Sequence, residues 1–552
     1  MRFDYSFVSR RSPVLGRRGM VATSQPLAVA AGLETLARGG NAADAAVATA
    51  AALNVTEPTS TGIGGDAFAL YFDAATGRVA ALNGSGRAPA ALTLDRVREA
   101  GLVRDPGSPM ADPYHPYTIT VPGACSAWCE LVARFGRLSM AQVLEPAVHL
   151  AEEGFPVAPV TAHFWARAVD RQLASALNGL ELTINGRAPR PGEIFRNPGL
   201  ARTFRAVAEG GIEAFYRGEI AEAIAATVQQ AGGCLTVEDL AAHEATWEEP
   251  INCVYRGYRV WECPPNGQGL TALLALNILE GYDLGTMDPL SAERLHLQIE
   301  ALRLAFADAR RYIADPAHVP IPISELLSPV YAAERRKLID LRRATPDQKP
   351  GTPVAASDTV YLSVVDQDGN ACSFINSNYM GFGTGIVPKG WGFSLQNRGH
   401  NFSLDPTHPN ALAPGKRPYH TIIPALITRP ISDGSREQLF ACFGVMGGFM
   451  QPQGHVQVAC ALLDDGVDPQ SALDRPRFCI LGGEAAGEVA LEEGIGSAAE
   501  EHLAAMGHAV RKVSGYERAL FGRGQVIIRD EENGILIGGS DPRADGLAMA
   551  GG

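Results

Sequence analysis

The stretch "ASDTVYLSVVDQDGNACSFINS", residues 356–377, reads as a β-hairpin. Val360, Leu362 and Val364 alternate along the first arm, Asp368-Gly369 supplies the turn, and Cys372 and Phe374 lie on the returning arm. Immediately before it runs "TPDQKPGTPVAAS", residues 345–357, rich in Pro, Ala and Thr and without a helical period. A strand that begins at Thr359 directly after such a loop has two readings. Thr359 is the first β-branched residue of a strand, or it is a nucleophile uncovered when the chain is cut in front of it. A threonine hydroxyl is a poor nucleophile at neutral pH and needs a base. No His or carboxylate stands at an obvious spacing to serve. A cut between Asp358 and Thr359 would create an α-amino group with a reference pKa of about 7.7–8.0, close to working pH as a general base should be. One residue would then carry both nucleophile and base. By itself the hairpin does not choose between the readings.

The chain has 552 residues, enough for a large buried core. Hydrophobic content of 46% and charged content of 19% are those of a globular protein. A net charge of −13 leaves no basic excess to neutralise phosphates and argues against a nucleic-acid partner. The nine cysteines are scattered in apolar contexts, and Cys125 and Cys129 are spaced as on a helix, so all nine read as reduced thiols. The first residues, "MRFDYSFVSRRSPVLGRRGM", have no continuous apolar segment of the signal-peptide kind, and no run of about 18 apolar residues suggests a membrane span. A cytoplasmic address is the expectation from this.

Outward from the hairpin, residues 24–40 read as a helix capped by Ser24, with Pro26 in its first turn and Gly39-Gly40 at its end. Asn41 then caps an Ala-rich helix, "AADAAVATAAALNV", whose composition suits close packing. Two strands follow around a "DAATG" turn, and Gly62, Gly64 and Gly65 mark a close approach of backbone. From about 123 to 345 the pattern is mainly helical; Leu295, Ile299, Leu302 and Phe306 share one face. The exception is "INCVYRGYRVWECPPNGQG", which is strand-like and ends in a Pro/Gly loop. After 359 the chain is strand-rich, with a helix near 451–464 and a closing hairpin that has Asn533-Gly534 as a type I′ turn candidate.

Common catalytic constellations are missing from the sequence. There is no G-x-S-x-G elbow, no H-E-x-x-H, no paired C-x-x-C, and no glycine cluster followed by Gly-Lys-Ser/Thr. Neither a metal nor a cofactor is called for.

The segment "GMVATSQPLAVAAGLETLARGGNAADAAVATAAALNVTEPTSTGIGGDAF" resembles the N-terminal signature of the γ-glutamyltransferase (γ-glutamyl transpeptidase) family. "VPGACSAW", "AEEGFPV", "GGCLTVEDLAAHEATWEEPI", "GFGTGIV", "APGKRP", "GGFMQPQGHVQV" and "GGSDPRADG" continue the likeness in order, over residues 19–549. "DTVYLSVVDQDGNA" is similar to the strand that bears the family's catalytic threonine. The resemblance implies an N-terminal-nucleophile hydrolase with an α/β (α+β) fold, a four-layer αββα sandwich built from one precursor. It implies cleavage between Asp358 and Thr359 into a helix-rich large subunit, 1–358, and a strand-rich small subunit, 359–552, which stay associated in one αββα domain. Thr359 takes the nucleophile position, Ser377 that of a supporting second hydroxyl, and Gly447 and Gly448 those of the oxyanion-hole amides. A glycine pair can aim two amides at one oxygen without side-chain obstruction.

The substrate positions depart from the family. Its carboxylate-binding Arg falls on Ser85, and the nearby arginine is Arg87. Its ammonium-binding acid falls on Asn401, which cannot supply the same charge pairing. An asparagine becomes Tyr379, a glutamine becomes Arg398, and a serine pair becomes His420-Thr421. Positive donors at Arg87, Arg398 and His420, without the acid, suit an acyl group that carries a carboxylate but no ammonium. The expectation is therefore an amidohydrolase acting on a small-molecule amide and water, nearer the oxamate amidohydrolase and acylase branch, with an oxamate-like or glutaryl-like acyl group. The alternatives are a γ-glutamyltransferase or glutathione hydrolase with an altered pocket, and an uncleaved, inactive binding relative. Whether two such units pair as a homodimer is left open.

Overall fold

A computed structural model describes residues 11–105, 107–346, 359–431 and 436–551. The Pro-containing loop leading to Asp358 lies outside the described residues for most of its length.

The quoted hairpin is at the centre of the first sheet. Strands Val360–Asp366 and Ala371–Ser377 pair antiparallel, with Val360 opposite Asn376 and Val365 opposite Ala371. The turn is organised by Asp366, whose carboxylate accepts from the backbone N–H groups of Asp368 and Asn370, each at 3.0 Å. Every residue of both strands is buried. Val360, Leu362 and Val364 face a helical layer, while Tyr361 and Val365 face a second sheet. The alternation in the sequence therefore separates two buried faces, not a wet face from a dry one.

Seven strands complete this first sheet in the order Leu547–Ala550, Gly19–Thr23, Val360–Asp366, Ala371–Ser377, Asp66–Asp73, Arg78–Gly84 and Thr246–Glu248. A second seven-stranded sheet runs Val14–Gly16, Ile535–Ser540, Arg523–Asp530, Glu437–Met446, Ala425–Pro430, Tyr258–Glu262 and Ile251–Tyr255. Phe68, Leu70, Tyr361, Ile375, Leu426, Cys442 and Ile527 fill the space between the sheets. Helices including Pro26–Ala37, Ala42–Thr56 and Met140–Glu153 cover the outside of the first sheet. Gly269–Leu279, Ala292–Tyr312 and Met450–Leu463 cover the second. The fold is the four-layer αββα sandwich.

Local chemistry explains most boundaries. Asn41 and Asp44 form a reciprocal capping box on Ala42–Thr56, every residue of which is buried. The small Ala side chains permit that burial on all sides. Gly65 is required by its neighbour, since a Cβ there would lie 2.2 Å from the Ser377 carbonyl oxygen. Two sequence expectations fail. Ser24 does not cap the first helix; Gln25 occupies the cap without a side-chain bond, and Ser24 instead donates to the buried carboxylate of Glu57. The closing hairpin is not a two-residue type I′ turn. Asp530 pairs with Ile535, which leaves a four-residue loop, and of Asn533 and Gly534 only Gly534 has positive φ, at 63°. The Asp530 carboxylate shapes that loop by accepting from the Glu532 and Asn533 N–H groups.

Candidate active site

Strand register brings Thr359 and Ser377 together. One step beyond the Val360–Asn376 pair these two residues stand opposite each other, with the side-chain parity of Tyr361 and Ile375, towards the space between the sheets. Their hydroxyl oxygens are 3.1 Å apart, and both residues are fully buried. The Ser377 Oγ also accepts from the Tyr379 backbone N–H at 2.9 Å and from Arg398 Nη2 at 3.3 Å.

Arg398 lies across this pair. It is 0% exposed, donates from Nη1 to Thr421 Oγ1 at 2.6 Å, and stands 4.4 Å from the centre of the Tyr379 ring. Burial pushes its pKa down to about 10, with Asp66 and Tyr379 acting in the opposite direction, so it remains a cation. Its Nε has no hydrogen-bond partner among the described residues. The Tyr379 hydroxyl donates to Asn401 Oδ1 at 2.6 Å, and Asn401 Nδ2 is likewise left without an acceptor among the described residues. Tyr379 itself has a φ of 80°, a left-handed conformation that costs energy for a bulky residue.

Gly447 and Gly448 connect the strand Glu437–Met446 to the helix Met450–Leu463. Their φ values of 134° and 59° require glycine. Among the described residues neither amide N–H has a hydrogen-bond acceptor. Both precede a helix N-terminus, which favours negative charge.

Asp66 and Gln268 hold this arrangement together, and the sequence reading did not single out either. Asp66, fully buried, accepts on Oδ1 from the Gly86 and Gly123 N–H groups and from Gln396 Nε2, and on Oδ2 from His420 Nε2 at 2.9 Å. His420 Nδ1 accepts from the Ile422 N–H, which assigns the ring proton to Nε2. Burial pushes the Asp66 carboxyl up to about 6 against the pull of Arg398. Burial, then Arg398 and Arg417, holds the His420 imidazole well below its ordinary value, so it is neutral. Gln268 donates from Nε2 to the carbonyls of Thr421 and Gly448, at 2.6 and 2.8 Å, and so ties the His420-Thr421 segment to the glycine pair. Only the Pro/Gly loop before Gln268, and an Asp directly after Gly64-Gly65, hint at these roles in the sequence.

Two expected positive donors need correction. His420 is neutral and uses its N–H on Asp66. Arg87 is partly exposed and ion-paired with Asp315 at 3.5 Å, in a network that includes Arg417 and Glu248. No hydrogen bond or ion pair joins it to Thr359, Ser377 or Arg398 among the described residues. Asp358 lies outside the described residues.

A cavity of about 530 Å³ opens beside Gly447 and Gly381. Away from it, His296, Glu300 and His508 form a buried group of metal-type donors. Arg303 Nε already stands 3.4 Å from Glu300 Oε1, and His296 Nδ1 lies 2.8 Å from His508 Nε2, so protein groups supply the cation and the hydrogen bond there. All nine cysteines are free thiols. No helix among the described residues is long and apolar enough to cross a membrane.

Comparison with known proteins adds four findings. Residues 28–551 match the family described as Gamma-glutamyltranspeptidase. Among curated proteins, the chain is 38% identical to the glutathione hydrolase-like YwrD proenzyme of Bacillus subtilis, covering 97% of this chain and 99% of that one. It is 35% identical to the oxamate amidohydrolase proenzyme of Klebsiella pneumoniae, covering 96% and 98%. Among solved structures, the cephalosporin acylase from Bacillus halodurans superposes with a TM-score of 0.90 at 48% identity, covering 100% of this chain and 99% of that one.

Proposed function

Since the chain belongs to the gamma-glutamyltranspeptidase family and is an amide hydrolase or acyltransferase of it, we propose that it matures by cleavage between Asp358 and Thr359 and then hydrolyses the amide of a small acyl group bearing a carboxylate. The large subunit is 1–358 and the small subunit 359–552, and they remain one particle. In the mature enzyme the Thr359 α-amino group takes the proton from Oγ1 as Oγ1 attacks the amide carbonyl. Ser377 hydrogen-bonds Oγ1 and fixes its direction. The Gly447 and Gly448 N–H groups receive the carbonyl oxygen as it becomes an oxyanion. Collapse breaks the C–N bond, the amine departs with the proton held on the α-amino group, and an acyl ester of Thr359 remains. Water, deprotonated by the same α-amino group, attacks the ester and releases the acid.

The observation that carries the choice of acyl group is Arg398. A buried guanidinium with an unpartnered Nε, bonded to Ser377 and Thr421 beside the nucleophile, is a site for a carboxylate. Asn401 adds an uncharged N–H donor where an ammonium would need an acid. The relatives named oxamate amidohydrolase and cephalosporin acylase support the same direction, while the glutathione hydrolase names favour the γ-glutamyl alternative.

The test is a panel of amides given to processed enzyme: oxamate, glutaryl anilide, γ-glutamyl anilide and glutathione. Higher kcat/KM for oxamate or the glutaryl amide supports the reading. Efficient cleavage of glutathione with neither of the first two turned over would overturn it and favour a γ-glutamyltransferase. A chain that stays whole and cleaves nothing would point to the inactive binding relative.

A further inference from the structure

The backbone at Tyr379 is unusual twice over. Its φ of 80° puts a bulky residue in the left-handed region two positions after Ser377, at a typical cost of ~1–3 kcal/mol. It is also fully buried, whereas Asn178, Asn185 and Arg256, the other non-glycine residues of positive φ among the described residues, are not. Such a conformation persists only where the surroundings hold it.

The holding groups can be named. The Tyr379 N–H donates to Ser377 Oγ at 2.9 Å, and the Met380 N–H to Asn397 Oδ1 at 3.1 Å. Beyond Tyr379 the loop is fixed by one side chain from a distant segment. Gln172 Nε2 donates to the carbonyls of Met380 and Gly383, both at 2.7 Å. The Gly383 N–H closes the same turn on the Met380 carbonyl at 2.8 Å. Gly381 has no room for a side chain, since a Cβ there would lie 2.6 Å from Gln172 Oε1.

Gln172 is delivered there by an irregular element. It sits in a π-helical turn, Val169–Leu173, where the Ala174 N–H reaches back to the Val169 carbonyl at 2.9 Å. The turn continues the helix Pro159–Ala168, whose first N–H groups, those of Val160 and Thr161, donate to the Asp545 carboxylate at 3.1 and 2.9 Å. The extra residue of a π turn rotates the chain by about 100° relative to α-helical register. Arg171 and Ala174 are exposed, while Gln172 between them is 1% exposed. Such turns are rare and gather at functional sites.

Tyr379 in turn shapes the acyl site through two contacts. Its ring, 4.4 Å from the Arg398 guanidinium carbon, covers the cation on one side. Nη1 and Nη2 already hold Thr421 and Ser377, which leaves the unpartnered Nε to draw a carboxylate edge-on. The Tyr379 hydroxyl donates to Asn401 Oδ1 at 2.6 Å, which assigns Nδ2 as the group of that amide left to meet a ligand. An N–H donor receives an oxygen and has nothing to offer an ammonium.

We propose that Gln172 is a positioning residue that holds Tyr379 in its left-handed conformation and thereby sets the preference for acyl groups with a carboxylate and no ammonium. The proposal rests on the reading of Arg398 as the carboxylate anchor. Without the Gln172 amide the Met380 and Gly383 carbonyls lose this donor, and Tyr379 relaxes towards an ordinary φ. Its ring then leaves Arg398 and its hydroxyl leaves Asn401. Asn401 becomes free to turn its oxygen towards the ammonium of a γ-glutamyl group, while Thr359 keeps its place in the strand register.

The test uses processed full-length enzyme and two substitutions. Gln172→Met keeps the side-chain length and loses the donors; Tyr379→Gly removes the strain and the ring together. Discrimination is read as kcat/KM for glutaryl 4-nitroanilide divided by that for γ-glutamyl 4-nitroanilide. Gln172→Met is expected to lower this ratio at least fivefold, mainly through a higher KM for the glutaryl amide. Acylation of Thr359 by 4-nitrophenyl acetate, which has no carboxylate to anchor, should stay within twofold of wild type. In the Tyr379→Gly background the same Gln172→Met change should move the ratio by less than twofold. A ratio within twofold of wild type in Gln172→Met, equal losses on both anilides and the acetate ester, or an effect undiminished in Tyr379→Gly overturns the proposal. Should Gln172→Met fail to mature, Gln172→Asn, whose shorter amide cannot span both carbonyls, takes its place in the same cycle. Wild-type enzyme that prefers the γ-glutamyl amide defeats the acyl assignment of the preceding section. The coupling of Gln172 to Tyr379, read on the KM of whichever amide is cleaved, then still decides whether Gln172 acts through Tyr379.

Discussion

Thr359 Oγ1 and Ser377 Oγ stand 3.1 Å apart because one hairpin register places them opposite each other, one step beyond the Val360–Asn376 pair. The same register gives both residues the parity of the inter-sheet face, so their contact is a consequence of strand pairing and not of loop placement.

Maturation follows from that contact. Thr359→Ala is expected to leave a single full-length chain on a denaturing gel, because the attacking hydroxyl is gone. The smaller wild-type fragment should begin Thr-Val-Tyr-Leu-Ser by N-terminal sequencing. Ser377→Ala keeps the nucleophile but loses one hydrogen bond to it, and should slow both cleavage and turnover by about tenfold, the equivalent of ~1.4 kcal/mol. Efficient splitting of Thr359→Ala at this bond would rule the mechanism out.

The glycine pair should be sensitive both directly and through its tether. Gly448→Val places a β-branched residue at a φ of 59°, and loss of an oxyanion donor typically costs ~10²–10³ in turnover. Gln268→Ala removes the bonds to the Gly448 and Thr421 carbonyls. It should lower kcat by about tenfold while the chain still self-processes. Steady-state kinetics on either variant give the answer; a folded, mature Gly448→Val with unchanged kcat removes this residue from the site.

The two arginines near the anchor should separate cleanly. Arg398→Ala is expected to raise KM for a carboxylate-bearing acyl substrate by at least ~30-fold, about 2 kcal/mol for a desolvated charge pair. Arg87→Ala should change it by less than about fivefold, the ~0–1 kcal/mol of a partly exposed ion pair, since its partner is Asp315. Asn401→Asp should shift preference towards γ-glutamyl substrates by supplying an acid for their ammonium. A larger effect from Arg87 than from Arg398 would contradict the assignment.

How much of this could be read beforehand depended on the range of the interaction. The hairpin was legible because period-two alternation and an Asp-Gly turn are local, and Asn41 because a cap acts within four residues. The positions of Thr359, Ser377 and the glycine pair came from ordered motifs over the whole chain. Asp66 and Gln268 were missed because the partners that place them in the site, His420 and Gly448, lie more than 100 residues away, with no periodic trace. The charge of His420 was misjudged for a related reason. Its protonation is set by complete burial beside Arg398 and Arg417, which no neighbouring residue in the sequence signals. Arg87 was displaced by a different cause, a partly exposed network with acids of its own that offered it Asp315.

The Asp66–His420 pair makes a distinct prediction about pH. The Asp66 carboxyl is pushed up to about 6 from an ordinary value of 3.8 by burial. Between about pH 4 and 6 the native state therefore binds a proton at Asp66 that the unfolded chain has released, which lowers stability as pH rises through that window. His420 has the opposite sign. Its native imidazole stays neutral while the unfolded one protonates below 6.5, which raises stability as pH rises towards 6.5. At pH 5 the unfolded pair holds one proton, on the imidazole, and the native pair holds one, on the carboxyl. The two slopes cancel, and this pair should add almost no pH dependence between about 4 and 6. Asp66→Asn removes one slope and leaves the other. The comparison is made in a Thr359→Ala background, which keeps the chain in one piece, with and without Asp66→Asn. The difference in urea-unfolding free energy between the two proteins should change by about 1.4 kcal/mol per pH unit across this window, with the Asp66→Asn protein gaining as pH rises. A difference that stays constant from pH 4.5 to 6 would mean that Asp66 is ionised throughout, and that Arg398 offsets its burial more fully than the geometry of this site implies.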